Sequence, residues 1–282
     1  MSKSLSAQKT TFKFFVYVVC IILTILSIFP FWTMIVNATR STYQIQSHAV
    51  SIIPSKYLMN NWQILNGKQF NAMQGFINSL IIAIGATVCA VYFSTLTAYS
   101  IVVYDWKLKR TFFTFIMAVM MIPSQIVTIG FYQMIYKIHL TNNFLPLIIP
   151  AIAAPSTVFF MRQYMIPSLS LEIIESARID GAKEFYTFNT IALPIMKPAI
   201  ATQAIFIFVS KWNELFMPLV LLTKHDRYTM PIMVSLLRGD IYRTEYGSIY
   251  LGLLLTVLPL FVVYFLLSKY IIAGVALGSV KG

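Results

Sequence analysis

ESARIDGAKEFYTFNTIALP, residues 175–194, is the most polar long segment of a chain that is otherwise strongly apolar. It sets Glu175, Arg178, Asp180, Lys183 and Glu184 within ten residues, holds Gly181 near its middle and closes on Leu193-Pro194. From Leu171 to Ile179 the pattern is helical, with apolar Leu171, Ile173, Ile174 and Ala177 interrupted by Glu172 and Glu175. Ser170 stands where it can cap that helix, and Glu172 is favourable in its first turn. Asp180-Gly181 is a turn signal, because glycine accepts left-handed backbone angles at no steric cost. A second helix is expected through Glu184, Phe185, Phe188 and Ile191, stopped by Leu193-Pro194. The segment therefore reads as helix, tight turn, helix: a short elbow with apolar teeth and a charged skin. Those residues suit a docking surface for another protein, and equally a hairpin lying among lipid headgroups. On the residues alone Gly181 reads as a helix stop or as part of a docking face.

Working outward, the chain has 282 residues, 58% hydrophobic and only 11% charged, where a soluble domain carries about 25% charged residues. The charges are confined, leaving charge-free runs at 14–39, 69–104, 111–136, 140–161 and 246–268. A helix needs about 20 mostly apolar residues to cross a bilayer, and each run is long enough. A sixth crossing is expected from Ala199 to Leu222, apolar but for Lys211 and Glu214. These two stand three apart, where they share a helix face and can pair, and such a pair turns toward protein or water rather than lipid. The expected fold is an all-α polytopic membrane protein with helices at about 13–36, 76–101, 112–136, 144–162, 199–222 and 247–269.

Net charge of +12 in such a chain reports topology before it suggests a partner, and no nucleic-acid partner is expected. With six crossings both termini share a side. Placing them there with loops 102–111 and 163–198 gives that side 12 of the 21 basic residues, including the basic loop DWKLKR. That side is therefore read as cytoplasmic. The organisation follows: cytoplasmic segment 1–12, first helix 13–36, an extracytoplasmic lobe 37–75, a five-helix core 76–272 that includes loop 170–197, and a cytoplasmic tail 273–282. The first helix is read as retained, being too long for a signal peptide. Pro54 argues against a continuous helix in the lobe, and the apolar middle of loop 223–246 (MPIMVSLL) is expected to pack on something. Cys20 and Cys89 fall inside separate expected spans and form no disulfide framework.

No G-x-x-x-x-G-K-[ST] loop cradles phosphate and no H-E-x-x-H binds zinc, while His48, His139 and His225 lie in separate loops. Glu214 is the one acidic residue in an expected span, which speaks against an ion-gradient-driven carrier with its membrane carboxylates. A membrane enzyme would need two convergent catalytic groups, and none are found. No catalytic or metal-ligating residue is nominated.

The elbow's spacing is more specific than its composition. It reads Glu175-Ser176-Ala177, three residues, Gly181, nine residues, Ile191, one residue, Leu193-Pro194. This resembles the EAA loop of the membrane-spanning subunits of ATP-binding-cassette importers, Ser176 standing where that family has Ala. Over residues 12–282 the chain is similar to the carbohydrate, maltose-type branch. Asn78-Ser79, Ala98-Tyr99, Met121-Ile122-Pro123, Trp212-Asn213-Glu214, Pro218-Leu219 and the tail Gly278-Ser279-Val280-Lys281-Gly282 carry that likeness. The resemblance implies a bacterial permease of the type I importer fold, multi-pass in the cytoplasmic membrane. It implies that Glu175, Ser176, Ala177, Asp180, Gly181, Ile191, Leu193 and Pro194 form a coupling element for a separate ATPase. It further implies two ATPase subunits that hold the ATP and Mg²⁺ (this chain holding no cofactor), a second, different permease, and an extracytoplasmic binding protein. The cargo would be a sugar, an oligosaccharide or a glycan, with another polar solute left open. Asn78, Tyr132, Gln133, Trp212, Asn213 and Glu214 offer the aromatic faces and hydroxyl-bonding groups that a sugar path wants, and they serve equally as packing contacts between helices.

Overall fold

A computed structural model describes residues 2–48, 50–67, 70–237 and 245–279. The described residues form helices and turns without a strand. Chain order runs α1 (Ser2–Ala38), α2 (Thr42–Ser47), α3 (Leu58–Gly67), α4 (Ala72–Val103), α5 (Lys109–Val119), α6 (Ser124–Lys137), α7 (Leu145–Ile148) and α8 (Pro155–Ser168). It continues through α9 (Leu171–Ile179), α10 (Glu184–Thr187), α11 (Leu193–Ile195), α12 (Lys197–Trp212), α13 (Phe216–Leu221), α14 (Met230–Leu236) and α15 (Tyr246–Ser279). Four helical stretches are long and apolar enough to cross a membrane: Phe12–Ala38, Ala72–Val103, Leu145–Ser168 and Tyr246–Leu266. A fifth is counted if the pair Glu184–Ile195 and Lys197–Trp212, bent by 80°, is one span.

Three of the expected spans are interrupted, each at a proline. The stretch 144–162 passes from α7 through a tighter turn at Ile149–Ile152 and breaks at Ala153-Ala154, before Pro155 opens α8. The stretch 112–136 divides between α5 and α6. Pro123 has no N–H to give and disfavours helical angles at Ile122, so the chain leaves α5 through tightened bonds, Met121 N to Ala118 O and Ile122 N to Val119 O. The stretch 199–222 divides between α12 and α13. The ring of Pro218 would clash with the carbonyl four residues back, at Glu214, and residues 213–215 are non-helical. Pro30 and Pro259, in contrast, sit inside continuous helices.

The chain divides into two compact units, residues 1–71 with 234–257, and residues 72–233 with 258–282. In the first, the apolar window of α1 is wholly unburied. Phe14, Leu23 and Leu26 point outward from different sides of it, as in a helix whose surroundings are themselves apolar. The expected lobe is partly helical, with α2 and α3 separated by a stretch containing Pro54. A reciprocal capping box starts α2: Gln44 N donates to Ser41 Oγ, and Ser41 N donates to Gln44 Oε1. Arg40 is buried because its guanidinium donates to Asn37 Oδ1 at 3.0 Å and Gln44 O at 2.6 Å. Asn61 donates to Ala38 O and Arg40 O, and accepts at its carbonyl from Ser248 Oγ of α15. Gly247 lies against Arg40 O and the Asn61 amide, so only a residue without a Cβ fits there.

In the second unit α4 is the central helix, packed on α7, α8 and α12. Its buried positions include Ala83, Ala86, Ala90, Ser94 and Ala98, small residues three and four apart that let neighbouring backbones approach. The apolar middle of loop 223–246 packs as expected. α14 buries Ile232, while Met230 and Met233 close on Gly75 of α4. Residues 238–244 of that loop and Val280, Lys281 and Gly282 of the expected tail lie outside the described residues.

Candidate functional site

The elbow is present as a packed unit. Ser170 occupies the N-cap of α9 with extended angles, but its side chain makes no capping bond. The other end closes as expected. Gly181 N donates to Arg178 O at 3.0 Å and Ala182 N donates to Ala177 O at 2.9 Å, with Gly181 at φ +82°. This pair of bonds is the Schellman closure, whose left-handed residue is normally glycine. The second arm departs from expectation. Leu193-Pro194 does not stop it. The chain passes from α10 into a π turn, Phe188–Ala192, and on through α11, bending at Met196 before α12. The π register hands Leu193 N to Phe188 O, and Pro194, next in line, has no N–H to satisfy, so the proline passes without breaking the turn.

The inner side of the elbow is a hydrophobic core. Ile174 of α9 and Phe188, Ala192 and Met196 of the second arm are buried with Ala98 and Tyr99 of α4 and Met161 and Met165 of α8. Ile191 and Leu193 pack against that cluster. Ala177 is buried. The outer side is the reverse: Glu175, Ser176, Asp180, Gly181 and Pro194 are exposed. With them Ile179 is 86% and Phe185 66% exposed. Ser176 Oγ donates to Glu172 O within the helix.

A polar clip ties the elbow to the end of α4. Arg178 Nε donates to Glu184 Oε1 at 2.7 Å and Arg178 Nη2 to Glu184 Oε2 at 3.3 Å, bridging the two arms across the turn. Tyr104, the residue after α4, donates its hydroxyl to Glu184 Oε2, and the Arg178 guanidinium lies 5.3 Å from the centre of the Tyr104 ring. The bond from Arg178, then that from Tyr104, holds the Glu184 carboxyl below the usual carboxylate range. Burial, and then the bond to Glu184, pushes the Tyr104 phenol up to about 12. Sequence reasoning did not find Tyr104. Eighty residues separate it from Glu184, and it adjoins a loop whose visible signal is its basic charge.

The expected substrate-path residues fall in separate settings of the second unit. Asn78 is buried, donating to Asp226 O at 3.0 Å and Tyr228 O at 2.9 Å and accepting from Gln74 Nε2. Trp212 is 1% exposed, set edge-on to Phe76 and stacked on Phe208. Tyr132 packs around Ile82, Ile135 and Leu221, while Gln133 is exposed. Lys211 Nζ pairs with Glu214 Oε2 at 2.8 Å, both about a third exposed. The pair straddles the end of α12, with exposed Asn213 between its members. The described residues contain no group of three metal-ligating side chains.

Long helices that expose apolar side chains, with a polar elbow packed on one end of a bundle, define a multi-pass membrane protein. Residues 90–276 match the family of binding-protein-dependent transport system inner membrane components, and the chain belongs to that family. It is 32% identical over 259 residues to the arabinooligosaccharides transport system permease protein AraQ of Halalkalibacterium halodurans, covering 91% of this chain and 92% of that protein. It is 30% identical over 256 residues to the lactose transport system permease protein LacG of Rhizobium radiobacter, covering 91% and 92%. In fold it is similar to a chain of a bacterial ABC transporter involved in the import of the acidic polysaccharide alginate, with TM-score 0.79, 19% identity, and 93% and 97% of the two chains covered.

Proposed function

We propose that this chain is a permease subunit of an ATP-driven importer that carries a sugar, an oligosaccharide or glycan, across the bacterial cytoplasmic membrane. The observation that carries the reading is the elbow. A helix-turn-helix presents Ile179, Phe185 and Glu175 outward while its inner face is packed on two helices, α4 and α8. That is a docking surface with a mechanical connection behind it. In this reading the chain crosses six times, with both termini and the elbow cytoplasmic. Glu175, Ser176, Asp180 and Gly181 face a groove of a separate ATPase. Ala177 is buried behind them and shapes that face from within, rather than touching the partner as expected. Ile191, Leu193 and Pro194 set how the second arm re-enters α12. Two ATPase subunits hold the ATP and Mg²⁺, a second and different permease completes the pore, and an extracytoplasmic binding protein delivers the cargo. The carbohydrate assignment rests on the relatives named for oligosaccharide and lactose transport. Asn78, Tyr132, Gln133, Trp212, Asn213 and Glu214 are offered as path residues, with Asn213 and Gln133 the exposed ones.

The test is a mild-detergent purification of the tagged chain from native membranes, with mass spectrometry of its companions and uptake measured against a panel of sugars and other polar solutes. A soluble ATPase and a second permease are expected, with uptake abolished by vanadate. Gly181→Arg is expected to insert normally and to lose both the ATPase and uptake. A chain that purifies alone and supports vanadate-insensitive, gradient-dependent uptake overturns the reading.

A further inference from the structure

At the end of the second unit that carries the elbow, α4 stops at Val103 and the chain turns through 104–108 into α5. That loop is folded back on the carbonyl end of α4: Trp106 Nε1 donates to Ser100 O at 3.4 Å, and Lys109 Nζ donates to Tyr104 O at 3.0 Å. Between the loop, the first turns of α5 and Arg162 of α8 lies an open cleft of about 710 Å³, within the usual size of a small-ligand site. Four cations line it, Lys107, Lys109, Arg110 and Arg162, against one anion, Asp105. Ile101 and Phe113 supply apolar wall.

Arg162 is the informative member. Its guanidinium sits 4.2 Å from the centre of the Phe113 ring. Its Nε is buried and has no hydrogen-bond partner among the described residues. Arg162 lines the cleft and is only partly buried, so the part of its side chain open to the cleft, and not the enclosed Nε, is what an anion can reach. The remaining cations concentrate positive charge on the same opening, which fits a phosphate rather than a neutral ligand. The surroundings separate a free phosphate from a lipid one. Leu108 is 64% and Phe115 63% exposed beside the cleft, and apolar side chains next to cations are the signature of a membrane boundary. Basic recesses between membrane helices at the cytoplasmic face are suited to anionic headgroups.

We propose that this cleft binds the headgroup of an anionic phospholipid of the cytoplasmic leaflet, with Arg162 as the inner phosphate ligand and Lys107 and Arg110 at the rim. The proposal goes beyond the transport reading and takes from it only the side of the membrane. Bound there, the lipid joins the α4–α5 turn to α8, two elements that flank the elbow.

The test uses the full chain, purified in mild detergent and stripped of lipid, with native mass spectrometry and thermal stability as readouts. Phosphatidylglycerol is expected to bind and to raise the melting temperature, and phosphatidylcholine at the same mole fraction to do neither. Arg162→Gln is expected to weaken phosphatidylglycerol binding about tenfold, the loss of one charge-assisted contact. The double rim variant Lys107→Gln/Arg110→Gln guards against a folding effect of the Arg162 change and is expected to weaken it comparably. Lys56→Gln, outside the cleft, is expected to change nothing. Equal lipid binding by wild type, Arg162→Gln and the rim variant overturns the proposal, as does an equal effect of phosphatidylcholine. Inorganic phosphate alone reproducing the whole stabilisation overturns the lipid source. None of these readouts depends on transport, so a failed importer reading leaves the lipid result intact.

Discussion

Gly181→Ala isolates what the elbow's turn is worth. The backbone there stands at φ +82°, and a Cβ added to it would meet nothing within 4 Å. The cost of alanine is therefore conformational and not steric. Holding an L-residue in the left-handed region costs about 1–2 kcal/mol. The turn closes with two bonds, from Gly181 and Ala182 to the end of α9, so the variant either keeps both at that cost or lets the turn open. Either way the population with the wild-type outer face falls by about 5–30-fold relative to its competitors. If docking requires that face, ATPase affinity falls by up to the same factor while membrane insertion is unchanged. Gly181→Asn separates shape from strain. Asparagine is larger than alanine but tolerates left-handed angles, so it is expected to retain most of the affinity. The assay is titration of the purified permease, in lipid nanodiscs, with its ATPase, read by stimulated ATP hydrolysis. Asn binding more weakly than Ala would mean that space at the docking surface, not backbone angle, selects glycine. Wild-type affinity in both variants would remove Gly181 from the docking argument.

The polar clip makes a pH prediction with two edges. Glu184 has a lowered carboxyl pKa, so its contribution is present above the usual carboxylate range and fades as pH falls through the lowered value. Tyr104 has a raised phenol pKa of about 12, so its contribution is present below about 10 and is lost as pH rises toward 12. Thermal stability of wild type relative to Tyr104→Phe is therefore expected to be flat between about pH 5 and pH 9, and a difference that titrates near neutrality would contradict the geometry. For the pair at the end of α12, Lys211→Met strands a part-buried carboxylate. It is expected to cost about 1–3 kcal/mol of stability, with Lys211→Met/Glu214→Gln recovering part of the loss. A double variant no more stable than the single in a detergent melting series would show that the two groups do not depend on each other.

The elbow was legible in the sequence because its signals are local. Apolar spacing marks the inner face of α9, and Asp180-Gly181 can close a helix in few other ways. The long apolar runs that became α4 and α15 were legible for the same reason, since length and hydrophobicity are properties of one segment. The interruptions at Pro123 and before Pro218 were harder. A proline inside an apolar run is compatible with a kink or a break, and packing by distant segments decides which. The π turn at Phe188–Ala192 carries no sequence mark, so Leu193-Pro194 read as a stop where the chain turns on. Tyr104 and Arg162 were invisible as partners, because Tyr104 acquires its role from the elbow seated beside the end of α4, and Arg162 from α5 packed against α8. Asn78 shows the converse: a polar residue near the start of a span reads as a path-lining group, and the fold gives its amide two backbone carbonyls to hold.

The two attachments of the elbow differ in strength, and the difference says how it can move. Burying a side chain the size of Ile174 or Phe188 is worth about 1.5–3 kcal/mol each, and both are almost fully enclosed in one cluster with α4 and α8. Lifting the elbow away would expose them together at a cost of several kcal/mol. The Arg178–Glu184 bridge is 35% and 47% exposed, and a pair that open to solvent contributes about 1 kcal/mol or less. The core therefore carries any load applied to Ile179 and Phe185 on the outer face, and the clip does no more than orient one arm against the other. Losing the clip should loosen the elbow without detaching it. Losing the core contacts should detach it, because no polar bond near the turn is strong enough to take their place. A push on the outer face is expected to reach α4 and α8 through that core, and the helical path is interrupted further along the chain, at the bend of Met196 and at the breaks beside Pro123 and Pro218.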